Sequence, residues 1–166
     1  MREAALADAE RRLGVTVATD LNVPIRLSTI DDAALRAWRS DWTSSPSEPG
    51  GWDWRAERLA WRSTLNRFEV AIWSGSVLCG LGIGKPSRGP SHLAIYLIEG
   101  NPDRNHPLKG AIADCVTDAA IRYGQLLGKA QLRFLRPLPG ALPTYLRLGF
   151  MVAQKGAQPP YCFMEI

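Results

Sequence analysis

Tyr145 stands in the run ALPTYLRLGF, with Ala141 four residues before it, Gly149 four residues after it and Phe150 next. A tyrosine on a short helix-like run just ahead of the last strands has two uses. It can plug the core as an aromatic, or it can present its phenolic hydroxyl to a group that departs with a proton, which is general-acid work. Glu99 is the second candidate, because it directly follows the apolar run HLAIYLI. A carboxylate at the carboxyl end of a strand can be partly desolvated and acquire the raised pKa of a general base; the plainer reading is an exposed strand-end acid. The segment EGNPDRNHPLKGAIA leads from that strand to a long helical pattern. Free amides and the positive end of a helix dipole attract anions at such a junction. Arg104 and Lys109 add positive charge, and Gly110, Ala111 and Ala113 allow close approach, so a pyrophosphate can sit here. The same residues also meet the ordinary needs of a helix start.

Other residues with chemical potential point to less. CGLGIGKPS has a glycine-rich look, but a phosphate-cradling loop needs Gly at Cys79, Ser or Thr at Pro86 and a helix afterwards. Gly80, Gly82 and Gly84 are better explained as relief of crowding in a bent strand. Cys79, Cys115 and Cys162 are odd in number, far apart and set among apolar neighbours, which fits buried thiols and not a disulfide framework or a metal site. With only His92 and His106, a histidine-rich metal site is hard to build, and no metal is expected. His92 reads as a strand-edge residue and His106 as a loop residue. Five of the six tryptophans (38, 42, 52, 54 and 61) fall in the two helical patterns over residues 28–68 and the loop between them. Trp38, Trp54 and Trp61 read as core, and Trp52, after Gly50-Gly51, as a pocket wall or lid.

The elements that must hold these residues follow from periodicity. MREAALADAERRLG reads as an amphipathic helix closed by Gly14, and it lacks the apolar stretch of a signal peptide. A strand, a helix started by Ser28, Thr29 and Asp31, a loop over 43–51 and a second helix through WDWRAERLAWRSTLNRF come next. FEVAIWS and SVLCGLGIG form a hairpin about Ser74-Gly75-Ser76. HLAIYLI, almost wholly apolar, reads as a central strand covered on both faces. Lys109 to Leu127 is a helix ended by Gly128, then QLRFL is a strand, ALPTYLRLG a short helix, and FMVAQ and YCFMEI closing strands. This order gives a mixed α/β (α+β) domain with one central sheet, in which HLAIYLI and QLRFL are parallel. With 166 residues, 46% hydrophobic and 22% charged, the chain fits one soluble domain. The net charge of +4 is dispersed, so nucleic acid is not indicated. No stretch reaches the eighteen or so apolar residues that span a membrane, and a cytoplasmic protein is expected.

The element order and the tail PGALPTYLRLGF resemble the GCN5-related N-acetyltransferase (GNAT) superfamily, whose members carry an A-x-x-x-Y-x-x-x-G-F pattern before the last strands. Ala141, Tyr145, Gly149 and Phe150 match it position by position. The resemblance covers residues 23–166 as a GNAT-like acyltransferase domain and leaves residues 1–22 as a helical extension. It implies a mostly antiparallel sheet flanked by helices, and acetyl-CoA as acyl donor to a primary amine on a small molecule or peptide. It makes Tyr145 the acid that protonates the departing thiolate and Glu99 the base, direct or through water. Leu97, Ile98 and Glu99 would hold the pantetheine arm and thioester carbonyl where the central strand splays from its neighbour. Arg104, Leu108, Lys109, Gly110 and Ala111 would hold the pyrophosphate. The family's loop signature, Arg or Gln, two residues, Gly, any residue, then Gly or Ala, is met by no register of DRNHPLKGAIA, and Leu138 stands where an asparagine is frequent. The alternative is therefore a non-catalytic binding or regulatory module on the same fold. A homodimer is compatible with either.

Overall fold

A computed structural model describes residues 1–15, 22–42, 51–154 and 156–166. The expected loop over 43–51 lies almost wholly outside the described residues. The elements are α1 (Arg2–Val15), β1 (Arg26–Ser28), α2 (Asp32–Asp41), α3 (Trp54–Ala60), β2 (Phe68–Ser74), β3 (Val77–Pro86), β4 (His92–Gly100), α4 (Ile112–Leu126), β5 (Gln131–Leu135), α5 (Leu142–Arg147), β6 (Met151–Val152) and β7 (Tyr161–Glu165). The strands form one seven-stranded sheet in the order β1-β2-β3-β4-β5-β7-β6. Only β4 and β5 are parallel, joined through α4, and every other neighbouring pair is antiparallel.

Alternation along the strands sends successive side chains to two separate cores. Val70 and Ile72 point to the face covered by α1, α4 and α5, together with Ile95, Leu132 and Phe134. Ala71 and Trp73 point to the other face, where Ile30, Trp42, Trp54, Leu81 and Ile83 gather beneath α2 and α3. On the first face a Cβ at Gly80 would lie 2.7 Å from Ile112 Cγ2, and one at Gly82 3.3 Å from Val116. These glycines relieve crowding, as expected, and the crowding comes from α4, which they let settle close onto β3.

Helix α1 packs into the first core through Ala5, Leu6, Ala9 and Leu13. Arg2 donates to Glu69 on β2 at 2.7 Å, and the backbone amide of Leu27 donates to Glu10 at 2.7 Å, so α1 braces the short strand β1. Gly14 does not close this helix, which runs through it to Val15. Helix α2 starts where Asp31 caps it, accepting from the Ala34 amide.

Two other elements differ from their sequence patterns. Helix α3 stops at Ala60, its C-cap at Trp61, and Leu65 is 82% exposed, so the apolar spacing of 54–65 does not describe one helical face. Helix α4 begins at Ile112, because residues 103–111 form successive tight turns and Gly110 takes a left-handed φ of 84° that a helix cannot include. At its other end Gly128, at φ 63°, follows the C-cap and ends the helix as its type suggests. Among the described residues no helix is long and apolar enough to cross a membrane, and no group of three or more metal-ligating side chains is present.

Candidate active site

Strand β4 has two halves. From His92 to Ile95 it pairs with β5, the last matched residues being Ile95 and Phe134. Beyond Ile95 it continues to Gly100 bonded only to β3. The separation begins at a β-bulge: Gly84 faces Ile95 and Ile83 faces Leu97, which leaves Tyr96 as the extra residue of β4. A Cβ at position 84 would stand 2.3 Å from the Ala94 carbonyl oxygen, so glycine is required for this close approach. Coverage on both faces holds only for Leu93, Ala94 and Ile95, which are buried; Tyr96 is exposed and Leu97 to Glu99 are half-buried. The correction has a plain cause, since the bulge turns the strand out of its packed surroundings.

The strands part around a cavity of about 840 Å³. One side is formed by Phe134 to Leu138, Ala141 and Tyr145, the other by Trp52, Glu57 and Trp61 from the α3 region, with Tyr96, Leu97 and Ile98 between them. Tyr145 is held in place by the way α5 ends. Gly149, at φ 91°, donates to the Leu146 carbonyl, and Phe150 donates back to the Tyr145 carbonyl at 3.0 Å. This double closure is a Schellman motif, and its characteristic apolar contact is the one between the Phe150 and Tyr145 rings, 6.0 Å apart. The Tyr145 ring also stacks on Phe134 at 4.5 Å and 13°. The Gly-Phe that follows Tyr145 by four and five residues is thus the device that locks the tyrosine.

Tyr145 is 7% exposed, and its hydroxyl has no hydrogen-bond partner among the described residues. Burial pushes its pKa up to about 12, so the phenol keeps its proton at neutral pH. A protonated, unpartnered hydroxyl carried by a buried ring on a cavity wall suits proton donation. It is both core plug and wall, its ring in the core and its residue lining the cavity.

Glu99 does not line this cavity. Its carboxylate accepts from the Trp54 indole N–H and from the backbone amide of Trp52, and burial raises its pKa to about 6. The raised pKa is as expected, but the carboxylate is taken up by Trp54 and the Trp52 amide instead of being presented to the cavity. Trp52 is a cavity wall and Trp54 is fully buried, both as expected. Trp42 is a core residue too, donating to the Leu78 carbonyl at 3.2 Å.

Leu97 and Ile98 line the cavity, whereas Arg104, Leu108, Lys109, Gly110 and Ala111 lie beyond it in the loop that opens α4. Arg104, Lys109 and Gly110 are exposed there, Ala111 is 9% exposed, and the Leu108 side chain is fully buried in the first core. Leu108 can therefore offer a ligand only its backbone. The loop is pinned by Asn101, which donates to the Leu78 carbonyl and accepts from the Asp103 amide, and by Asp103, which accepts from the Asn105 amide. His106 is in this loop, as expected, but its side chain is buried, and burial lowers its pKa. His92 opens the central strand and lines the cavity, so it is not an edge residue. Burial drives the thiol of Cys115 up to about 12, which removes it as a nucleophile. Sequence reading missed Glu57, His92, Tyr96, Arg133 and Tyr161 as cavity residues. The outward positions of QLRFL and YCFMEI carried a weak signal, polar and aromatic residues alternating with the apolar Leu132, Phe134 and Cys162.

No family model matches this sequence, and no curated protein is similar to it in sequence. Solved structures do share its shape. The PaiA N-acetyltransferase of Thermoplasma acidophilum, solved in complex with coenzyme A, has a TM-score of 0.58 at 15% identity, over 87% of this chain and 100% of that one. The ribosomal-protein-S18-alanine N-acetyltransferase of Escherichia coli has a TM-score of 0.58 at 14% identity, over 86% and 92%. The GNAT domain of S. lividans PAT has a TM-score of 0.60 at 12% identity, over 86% and 89%. With a parallel pair that parts at a bulge inside an otherwise antiparallel sheet, and with such neighbours, the chain has the fold of the GCN5-related N-acetyltransferases.

Proposed function

We propose that the protein is an N-acyltransferase that moves an acetyl group from acetyl-CoA to a primary amine by direct attack. The observation that carries this reading is the placement of Tyr145, buried, protonated and without a partner, on the wall of a cavity opened by the parting of β4 from β5. Bound acetyl-CoA would supply an activated acyl group and a thiolate leaving group. The edge of β4 from Leu97 to Gly100 that faces β5 has no strand partner, so its amides and carbonyls are free to hold the pantetheine arm and steady an oxyanion. The amide of Gly110, with the exposed Arg104 and Lys109 beside it, suits a pyrophosphate, whereas the Ala111 amide is already given to the Leu108 carbonyl at 3.0 Å. Tyr145 donates its proton to the leaving sulfur. Glu99 acts by position: it fixes Trp54 and the Trp52 backbone, and Trp52 closes the acceptor side. The amine attacks in its neutral form, the C–N bond forms as the C–S bond breaks, and the proton that the nitrogen then sheds passes through solvent to restore the Tyr145 hydroxyl, so no covalent enzyme intermediate is needed.

Thermal unfolding with and without acetyl-CoA tests the binding step, since a ligand at a hundred times its Kd adds about 2.7 kcal/mol to stability. Release of free thiol in the presence of an amine panel tests transfer. Binding with transfer supports the reading, and the absence of any stabilisation by acetyl-CoA sinks it. The buried Leu108 side chain and the departure of this loop from the family signature favour a second reading, a binding module that does not take CoA. That reading requires the acetyl-CoA response to be absent.

A further inference from the structure

One end of the cavity is built from polar groups that the transfer step does not use. Arg133 is on β5, opposite in facing to Leu132 and Phe134, whose side chains lie in the first core. Its Nε and Nη2 both donate to Gln131 Oε1, at 3.0 and 2.7 Å, and Gln131 in turn donates to Glu165 at 2.7 Å. The Tyr161 ring stacks against the guanidinium, 4.6 Å from its carbon. Clamped along one edge and one face, Arg133 keeps Nη1 and its terminal edge without a partner among the described residues. Among the described residues no carboxylate pairs with it directly, and Glu165 is reached only through Gln131. His92 lines the same end, its Nδ1 3.0 Å from Ser91 Oγ. Burial, then the charges of Arg133 and Lys129, hold its imidazole below the usual range, so it is neutral at pH 7 and can share a hydrogen bond. Across the cavity stand Glu57, which accepts from the Trp61 indole at 3.2 Å, and Trp52.

We propose that this end of the cavity is an anion subsite and that Arg133 sets the acceptor class: a primary amine that also carries a carboxylate, seated on the terminal edge of the Arg133 guanidinium. Naming the acceptor an amine rests on the transferase reading above; the subsite does not. A half-buried guanidinium with a fixed plane and a free fork is matched by a planar carboxylate, which it can bind through two parallel hydrogen bonds. Lys129, the other cation felt by His92, is held by the Ser87 and Gly89 carbonyls and does not line the cavity, so the guanidinium is the group placed to pair with a ligand there, and its planar fork favours a carboxylate. Arg136, the other arginine on the cavity, is exposed on the loop after β5 and is clamped by no side chain among the described residues. Glu57 on the facing wall gives the cavity opposite charges at its two walls, the arrangement that orients a molecule with an amine at one end and an acid at the other.

The test uses the whole chain and Arg133→Met, with N-acetylated amino acids and their matched methylamides as probes, bound affinities being read by ligand-observed NMR. The wild-type protein should prefer free acids by ten- to hundredfold, the effect of one charge-assisted pair. In the variant that ratio should fall toward one. Should Arg133→Met fold poorly, Arg133→Lys serves in its place; it keeps charge, loses the fork and should retain only part of the preference. Equal affinity for acids and amides, binding of neither, or a ratio that Arg133→Met leaves unchanged each overturns the subsite. Acid preference without any response to acetyl-CoA would sink the transferase reading and leave the subsite standing. Transfer to amides and acids alike would do the reverse.

Discussion

The two halves of β4 are made of similar residues and do opposite things. Leu93, Ala94 and Ile95 are buried between two strands, with Leu93 and Ile95 in the core beneath α4. Tyr96 to Gly100 keep one strand partner and give the other edge to a cavity. Apolar character is nearly continuous across both, so hydrophobicity does not separate scaffold from site. One extra residue separates them: the bulge at Tyr96 spends a register position, and from there β5 can no longer follow. A binding cleft inside a sheet needs backbone groups that are both held rigidly and left unpaired, and a strand with one partner supplies both.

The largest effect expected from this contrast is at Tyr145, the residue that the cleft exposes. Tyr145→Phe keeps the stack on Phe134 and the contact with Phe150, so acetyl-CoA should still raise the unfolding temperature. Turnover should fall by roughly a hundredfold or more, the usual loss of a general acid. Normal turnover in this variant would make the tyrosine purely structural. Because the phenol titrates only near 12, wild-type rates should rise with pH as the amine loses its proton, with no fall from loss of the acid below about pH 10.

Next in size is the bulge. Gly84→Ala drives a methyl group against the Ala94 backbone, which cannot yield as a side chain would. A loss of about 1–3 kcal/mol is expected from urea unfolding, with weaker acetyl-CoA binding. Gly82→Ala meets only Val116 and Val70 side chains at 3.3 Å, and should cost less than half as much. Equal losses would mean that the bulge has no special demand for glycine.

The smallest effect sharpens the role of Glu99. Its folded-state pKa, about 6, lies above the ordinary 4.5, so the folded protein binds the extra proton. The stability it contributes is present below pH 4.5 and is lost as pH rises through 6. Glu99→Gln should remove that slope, a difference of no more than about 2 kcal/mol, visible as wild-type and variant melting temperatures that converge in acid and separate above pH 6. Turnover at pH 8 should change by less than about tenfold, whereas a hundredfold loss would restore Glu99 to the role of base.

Much of this was legible along the chain because its causes are local. The glycine at 149 must adopt a left-handed turn and Phe150 must fold back on Tyr145, so one helix end writes its own signature in A-x-x-x-Y-x-x-x-G-F. The hairpin at Gly75 and the end of α4 at Gly128 were readable for the same reason. Helix α3 was not, since Trp54, Arg58, Trp61 and Leu65 keep a helical spacing across a break at Ala60. Spacing constrains which face residues share only while the helix continues.

By itself the sequence determined the order of elements, the parallel β4–β5 pair and the tyrosine that faces the cleft, because each rests on hydrogen bonds and contacts within a few residues or on the period of apolar positions. Tertiary structure alone decided that Glu99 turns beneath Trp54, that Leu108 leaves its loop for the core, and that Arg133, His92 and Tyr161 meet at one end of the cavity. Those outcomes depend on which face of a strand looks at which layer after a bulge has shifted the register. Such a shift flips side chains by one residue and leaves almost no trace in composition.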